Sequence, residues 1–115
     1  AADHVLDLHS TAADVQPFWV YPAHERNAAA ALAIGRPAVH LVMPGGLGSG
    51  TPLVQHGHFG DAGGRGVGLV AECGGHFRRT SGELALQVAL DFLAHFGLLE
   101  RERAPAPPQQ RYELV

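Results

Sequence analysis

Apolar residues in this chain fall into short blocks, and the blocks carry two different periods. Val5-Leu6-Asp7-Leu8-His9-Ser10-Thr11 lies near the start, Ala38 to Met43 in the middle and Val67 to Glu72 further on. Each is short and rich in Val and Leu, the pattern of strands buried in a sheet. The first strand is expected over Ala1 to Ser10, the second is stopped by Pro44, and the third ends at Glu72. Two other stretches carry the helical period. Glu25 to Ile34 has Ala at most positions and is ended by Gly35 and then Pro37. Such an alanine face permits close packing on a sheet. Further on, Leu84, Val88, Phe92 and Phe96 recur every four residues, with Ala85, Ala89 and Leu93 beside them. That is an amphipathic helix laid on a sheet, its stripe core and not a cofactor box, closed by Gly97. Thr80-Ser81-Gly82-Glu83 reads as its capping box, with Thr80 as N-cap and Glu83 reaching back.

The remaining segments have no clean period. Pro17 and Pro22 bracket Phe18-Trp19-Val20-Tyr21, which reads as a short strand or an extended loop. Its aromatics are expected to pack on the sheet more than to line a pocket. Residues 44–66 are dense in glycine. They lack both the Gly-Lys-Ser/Thr ending of a nucleotide loop and a Gly-x-Ser-x-Gly leading directly into a helix. Within them His56 and His58 read as surface histidines, although their alternate spacing could hold a metal together. Past the long helix, Glu100 to Arg103 is a solvated charge run, and Ala104-Pro105-Ala106-Pro107-Pro108 is a stiff linker. Arg111 to Val115 reads as a strand beginning elsewhere.

Composition narrows the function. A chain of 115 residues suits one domain with a moderate core. A net charge of −3 with only 8 Lys and Arg argues against a nucleic-acid footprint. No apolar run approaches the roughly 20 residues of a membrane span, so no membrane partner is expected. A lone Cys73 rules out an internal disulfide and fits a reducing, cytoplasmic setting; it reads as a small buried hydrophobe.

The chemistry concentrates at two strand ends. Strand side chains alternate, so Asp7 and His9 share one face while Leu6 and Leu8 take the other. A carboxylate and an imidazole at the end of an apolar strand are costly to bury unless a metal, a substrate or each other satisfies them. At Gly68-Leu69-Val70-Ala71-Glu72-Cys73-Gly74-Gly75 a second apolar strand ends in one acid, followed by glycines that let the backbone turn. In open α/β sheets, ligands bind outside the carboxyl ends of strands, so His9 and Glu72 are expected to share a crevice. Arg65, shortly before this strand, is either a partner for a substrate carboxylate or a solvated loop residue.

Asp7-Leu8-His9-Ser10-Thr11, followed about sixty residues later by Glu72-Cys73-Gly74-Gly75, resembles the succinylglutamate desuccinylase/aspartoacylase family of the zinc carboxypeptidase-like superfamily. The resemblance runs over nearly the whole chain. It implies an α/β fold, part of an α/β/α sandwich with a mixed sheet and flanking helices. Residues 1–103 would be the C-terminal part of a zinc-hydrolase catalytic domain, and 104–115 a proline-rich linker and the start of a following β segment. By this resemblance His9 maps onto the third zinc ligand and Glu72 onto the catalytic carboxylate. Asp7 would orient His9 or its turn from behind, as carboxylates do for metal-bound imidazoles. The implied activity is zinc-dependent hydrolysis of an N-acyl amino acid or similar small amide, with one Zn2+ per site.

Two departures qualify it. The family takes its first two zinc ligands from an upstream His-x-x-Glu, and none of the eight histidines here has Glu three positions on. One His cannot hold a catalytic zinc, which wants three protein ligands, so the other ligands are expected from outside this chain. Succinylglutamate desuccinylases also tend to carry an Ile-Arg pair after the Asp-Leu-His segment; Ser10-Thr11-Ala12-Ala13-Asp14 has no arginine, which leaves the acyl group open. Two rival readings stand beside the deacylase. One is a non-catalytic α/β module whose Asp7, His9 and Glu72 form a structural cluster used in partner binding. The other is a metal site in which His56, His58 or His76 joins His9.

Overall fold

The computed structural model describes residues 2–44 and 51–114. The glycine run at 45–50, on which the nucleotide-loop and nucleophile-elbow readings turned, lies outside them. Five strands form one sheet: β1 (Val5–Thr11), β2 (Phe18–Pro22), β3 (Val39–Met43), β4 (Gly68–Gly75) and β5 (Gln110–Glu113). Two helices accompany it, α1 (Glu25–Ile34) and α2 (Arg79–His95). The spatial order is β1-β4-β2-β3-β5. β1/β4, β2/β3 and β3/β5 run parallel, and β2/β4 antiparallel. A parallel neighbour needs a crossover, and α1 supplies it between β2 and β3. This is the mixed α/β sheet with flanking helices that the apolar blocks imply.

Alternation along the strands decides where the core sits. Trp19 and Tyr21 of β2, His40 and Val42 of β3, and Leu69, Ala71 and Cys73 of β4 are all buried. Register aligns them on one face, with Trp19 beside both Ala71 and His40. Ala28, Ala31 and Ile34 of α1 and Val88 and Phe92 of α2 join the same cluster. Both helices therefore cover one face, giving two layers, the part of an α/β/α sandwich that was expected. The residues between, Phe18, Val20, Val39, Leu41, Val70 and Glu72, are only half-buried. The short 3-10 turn Leu53–Gln55 covers the start of β4 on that second face, where a Cβ on Gly68 would lie 2.8 Å from the Val54 carbonyl oxygen.

Helix α1 spans the expected residues, and Gly35 closes it in the left-handed conformation (φ 85°), donating its N–H to the Ala31 carbonyl. Several expectations are corrected. β1 starts at Val5, and β4 continues beyond Glu72 to Gly75. The ambiguous aromatic stretch is a central strand, tolerated because Pro22 is its last residue. The capping box on α2 does not form. The N-cap position falls two residues earlier, at Arg78, without a side-chain cap. Ser81 Oγ instead donates to the Gly75 carbonyl at 2.7 Å, a nearer acceptor at the end of β4.

The C-terminal strand does not begin elsewhere; it pairs in parallel with β3 and closes the sheet edge. The proline segment before it is tied to the end of α1. Arg103 donates to the Ala33 carbonyl, and the Gln109 amide donates to the carbonyls of Gly35 and Pro107. Gln109 Oε1 and the Tyr21 hydroxyl bracket the buried His40 ring at 2.7 and 2.8 Å. Burial holds that ring's pKa below its ordinary value, so His40 is a satisfied core residue and not a ligand.

Candidate functional site

Parallel pairing of β1 with β4 sets His9 directly beside Glu72. Partners in register point to the same side of a sheet, so the imidazole and the carboxylate share the half-open face. Phe18 of β2 stands in register on the other flank of Glu72. The order across the face is thus His9, Glu72, Phe18. Phe18 was legible only as one aromatic among several, because its position beside Glu72 depends on the antiparallel pairing of β2.

Asp7 and His9 do touch. His9 Nε2 lies 2.9 Å from Asp7 Oδ1, with both side chains partly exposed. The hydrogen bond to Asp7 raises the pKa of His9 above its ordinary value, and the charges of Asp7 and Glu72 add to the shift. It also selects a tautomer. With the proton held on Nε2, the neutral ring offers a lone pair at Nδ1, and that atom has no hydrogen-bond partner among the described residues. One Glu72 oxygen, Oε2, is covered yet meets no donor. A carboxylate oxygen buried without a partner costs about 1–3 kcal/mol or more, and calls for a reason. Gly74 shapes the end of this strand. Its φ of 110° suits glycine alone, and a Cβ there would lie 2.9 Å from Ser81 Oγ, so the strand end can press against α2.

Nδ1 of His9, with Asp7 on the other ring nitrogen, could serve as one metal donor beside the Glu72 carboxylate. No group of three or more His, Cys, Asp or Glu that could hold a metal ion occurs among the described residues. The alternative set is not assembled either. His56 Nε2 bonds the Thr51 carbonyl, His58 Nε2 bonds the Ala2 carbonyl before β1, and His76 Nδ1 pairs with Ser10 Oγ at 2.6 Å. Arg65 is exposed and precedes the start of β4. Four residues of strand, roughly 13 Å, separate that start from Glu72, so the fold does not bring Arg65 to the pair. Cys73 is buried, and burial raises the pKa of its thiol, which fits an inert core residue.

A cavity of about 370 Å³ opens beside the end of β1, lined in part by Leu8, His9, Ser10, His76 and Arg79. Neither Glu72 nor Asp7 lines it. It opens at the strand ends toward the helix-covered side, where Ser10 and Cys73 point, and adjoins the His9–Glu72 face through His9. The Ser10–His76 pair was not legible in the sequence; the backbone bond from His76 N–H to the Thr11 carbonyl, 2.8 Å, draws the two strand ends together.

The sequence matches no protein-family model and no curated protein. Among solved structures the fold is similar to that of a protein from Shewanella frigidimarina NCIMB 400, provisionally named a succinylglutamate desuccinylase/aspartoacylase. The TM-score is 0.63 at 23% identity, covering 98% of this chain and 33% of that one. The class this defines is an α/β fold. The chain spans about a third of that protein's length. No helix among the described residues is long and apolar enough to cross a membrane.

Proposed function

We propose that this chain contributes one zinc ligand, His9, and the general base, Glu72, to a zinc-dependent hydrolase that cleaves the amide bond of an N-acyl amino acid or a similar small amide. The observation that carries this reading is the in-register placement of His9 and Glu72 on one open sheet face, with a Glu72 oxygen left without a donor. The fold likeness to the Shewanella protein supports it, since that protein's name assigns it to deacylation. The remaining zinc ligands come from outside the described residues.

The geometry supports a role for each residue. Asp7 fixes the His9 ring by its bond to Nε2 and leaves Nδ1 to donate. Carboxylate-backed imidazoles are the more basic and better oriented ligands. Zn2+, when bound, supplies Lewis acidity at the amide carbonyl and lowers the pKa of the attacking water. Glu72 would take a proton from the attacking water as the water oxygen bonds to the carbonyl carbon, and return it to the leaving nitrogen as the C–N bond breaks, so that carboxylate and free amine depart. Phe18, flanking Glu72, gives the base a partly apolar surround.

The test is amine release from N-acetyl, N-benzoyl and N-succinyl amino acids by the protein that carries this chain, with zinc and with a chelator. Glu72→Gln should lower zinc-dependent kcat by about 10²–10⁴-fold while zinc content and unfolding midpoint stay unchanged. If Glu72→Gln instead leaves kcat intact, Glu72 is no base. If hydrolysis persists in chelator, the metal reading fails.

A further inference from the structure

We propose that the cavity beside the end of β1, which His9 also lines, is a binding site for a small oxyanion, carboxylate or phosphate, next to the His9–Glu72 face. The proposal rests on the charge pattern of its walls. Arg78, Arg79 and His76 line the cavity of about 370 Å³, and none of its lining residues is an Asp or Glu. In a chain with 11 acidic against 8 basic side chains, a concave patch lined by two arginines and no acidic side chain concentrates positive potential.

The individual groups divide the work. Arg78 is already paired with Asp14 at the rim. Arg79 has no ion-pair partner among the described residues, and its planar fork suits the two oxygens of a carboxylate or phosphate. His76 Nδ1 is taken by Ser10 Oγ. In the tautomer where Ser10 donates, the ring proton sits on Nε2 and forms a second donor to an anion. Gly82 lines the cavity as well, and a Cβ on it would meet nothing within 4 Å, so the space beside the first turn of α2 is open. That turn holds no acidic residue and no side-chain cap, which adds favourable partial charge to a site already defined by its side chains.

The experiment is NMR titration of the protein with inorganic phosphate, succinate and acetate at fixed ionic strength, with chloride as reference. Saturable shifts at Ser10, His76 and Gly82 are expected. Arg79→Ala should weaken binding by about tenfold or more, the usual loss for one charge-assisted contact. Arg111→Ala, which removes an equal charge on β5, should leave it unchanged. Gly82→Glu puts a carboxylate into the open space and should abolish binding in a helix that tolerates the change. Saturation by phosphate alone identifies a phosphoryl ligand, and saturation by succinate or acetate alone a carboxylate; either supports the site. Shifts that follow chloride, or equal losses in Arg79→Ala and Arg111→Ala, would overturn it. The readout is binding, so the result stands apart from whether Glu72 is a base.

Discussion

The two faces of the sheet are built to opposite specifications. On the covered face Trp19, Tyr21, Leu69 and Ala71 have no exposed surface and pack under both helices. On the other face the intervening side chains stay half-buried or exposed, and among them lie Asp7, His9 and Glu72. Apolar burial is the dominant source of stability, so the covered face carries most of it. The open face keeps groups that such burial would not permit: a carboxylate oxygen without a donor and an imidazole with a free nitrogen. The same strands serve both because successive side chains alternate sides.

The sharpest way to break the contrast is to truncate one residue on each face of β2. Trp19→Ala should destabilise the protein by about 3–5 kcal/mol, the usual cost of a large cavity in a close-packed core. Val20→Ala, one residue on but half-exposed, should cost about 1 kcal/mol. Urea unfolding measures both, and similar losses would mean that the second face is as much core as the first.

A smaller effect is expected within the open face. Asp7→Asn removes the charge that holds His9 Nε2–H, and should lower zinc affinity of the zinc-loaded protein by about 10–100-fold. Stability should barely change, because the Asp7–His9 pair is partly exposed. Competition with a chelator reads the affinity, and an unchanged value would reduce the pair to a surface contact.

The mildest expected effect is on pH dependence, where the two regions pull in opposite directions. Burial lowers the pKa of His40 on the covered face, and of His4 and His95 near the end of α2, below the unfolded value of 6.5. The unfolded chain then binds more protons at acid pH, so their contribution is present above pH 6.5 and is lost as pH falls. His9 is shifted upward by Asp7. Its contribution is present below pH 6.5 and is lost as pH rises through its folded pKa. Stability should therefore fall on acidification, and His9→Ala should make the fall steeper. Urea midpoints between about pH 5 and 7 give the slopes; a shallower slope in the variant would contradict the assignment.

Much of this architecture was legible because local signals are periodic. Helix α1 ends where Gly35 requires it to, and the four-residue stripe of α2 does face the core. Less legible were features set by distant partners. Phe18 to Tyr21, bracketed by prolines, looked as much like loop as strand, and only pairing with both β3 and β4 makes it the middle of the sheet. Thr80 carried the capping signature, yet the Gly75 carbonyl captured Ser81 and shifted the helix start. Arg65 is near Glu72 in sequence, but an extended strand carries it to the far end.

By itself the sequence determined the strand and helix blocks, the faces of each strand, and the two strand ends at which an acid or imidazole would collect. Those follow from period and composition, which act over a few residues. The tertiary structure alone decided that β1 pairs with β4 in the register that sets His9 beside Glu72. It also decided that β2 runs against β4, and that both helices choose the same face. Register and facing depend on contacts between residues dozens of positions apart, and no local pattern encodes them.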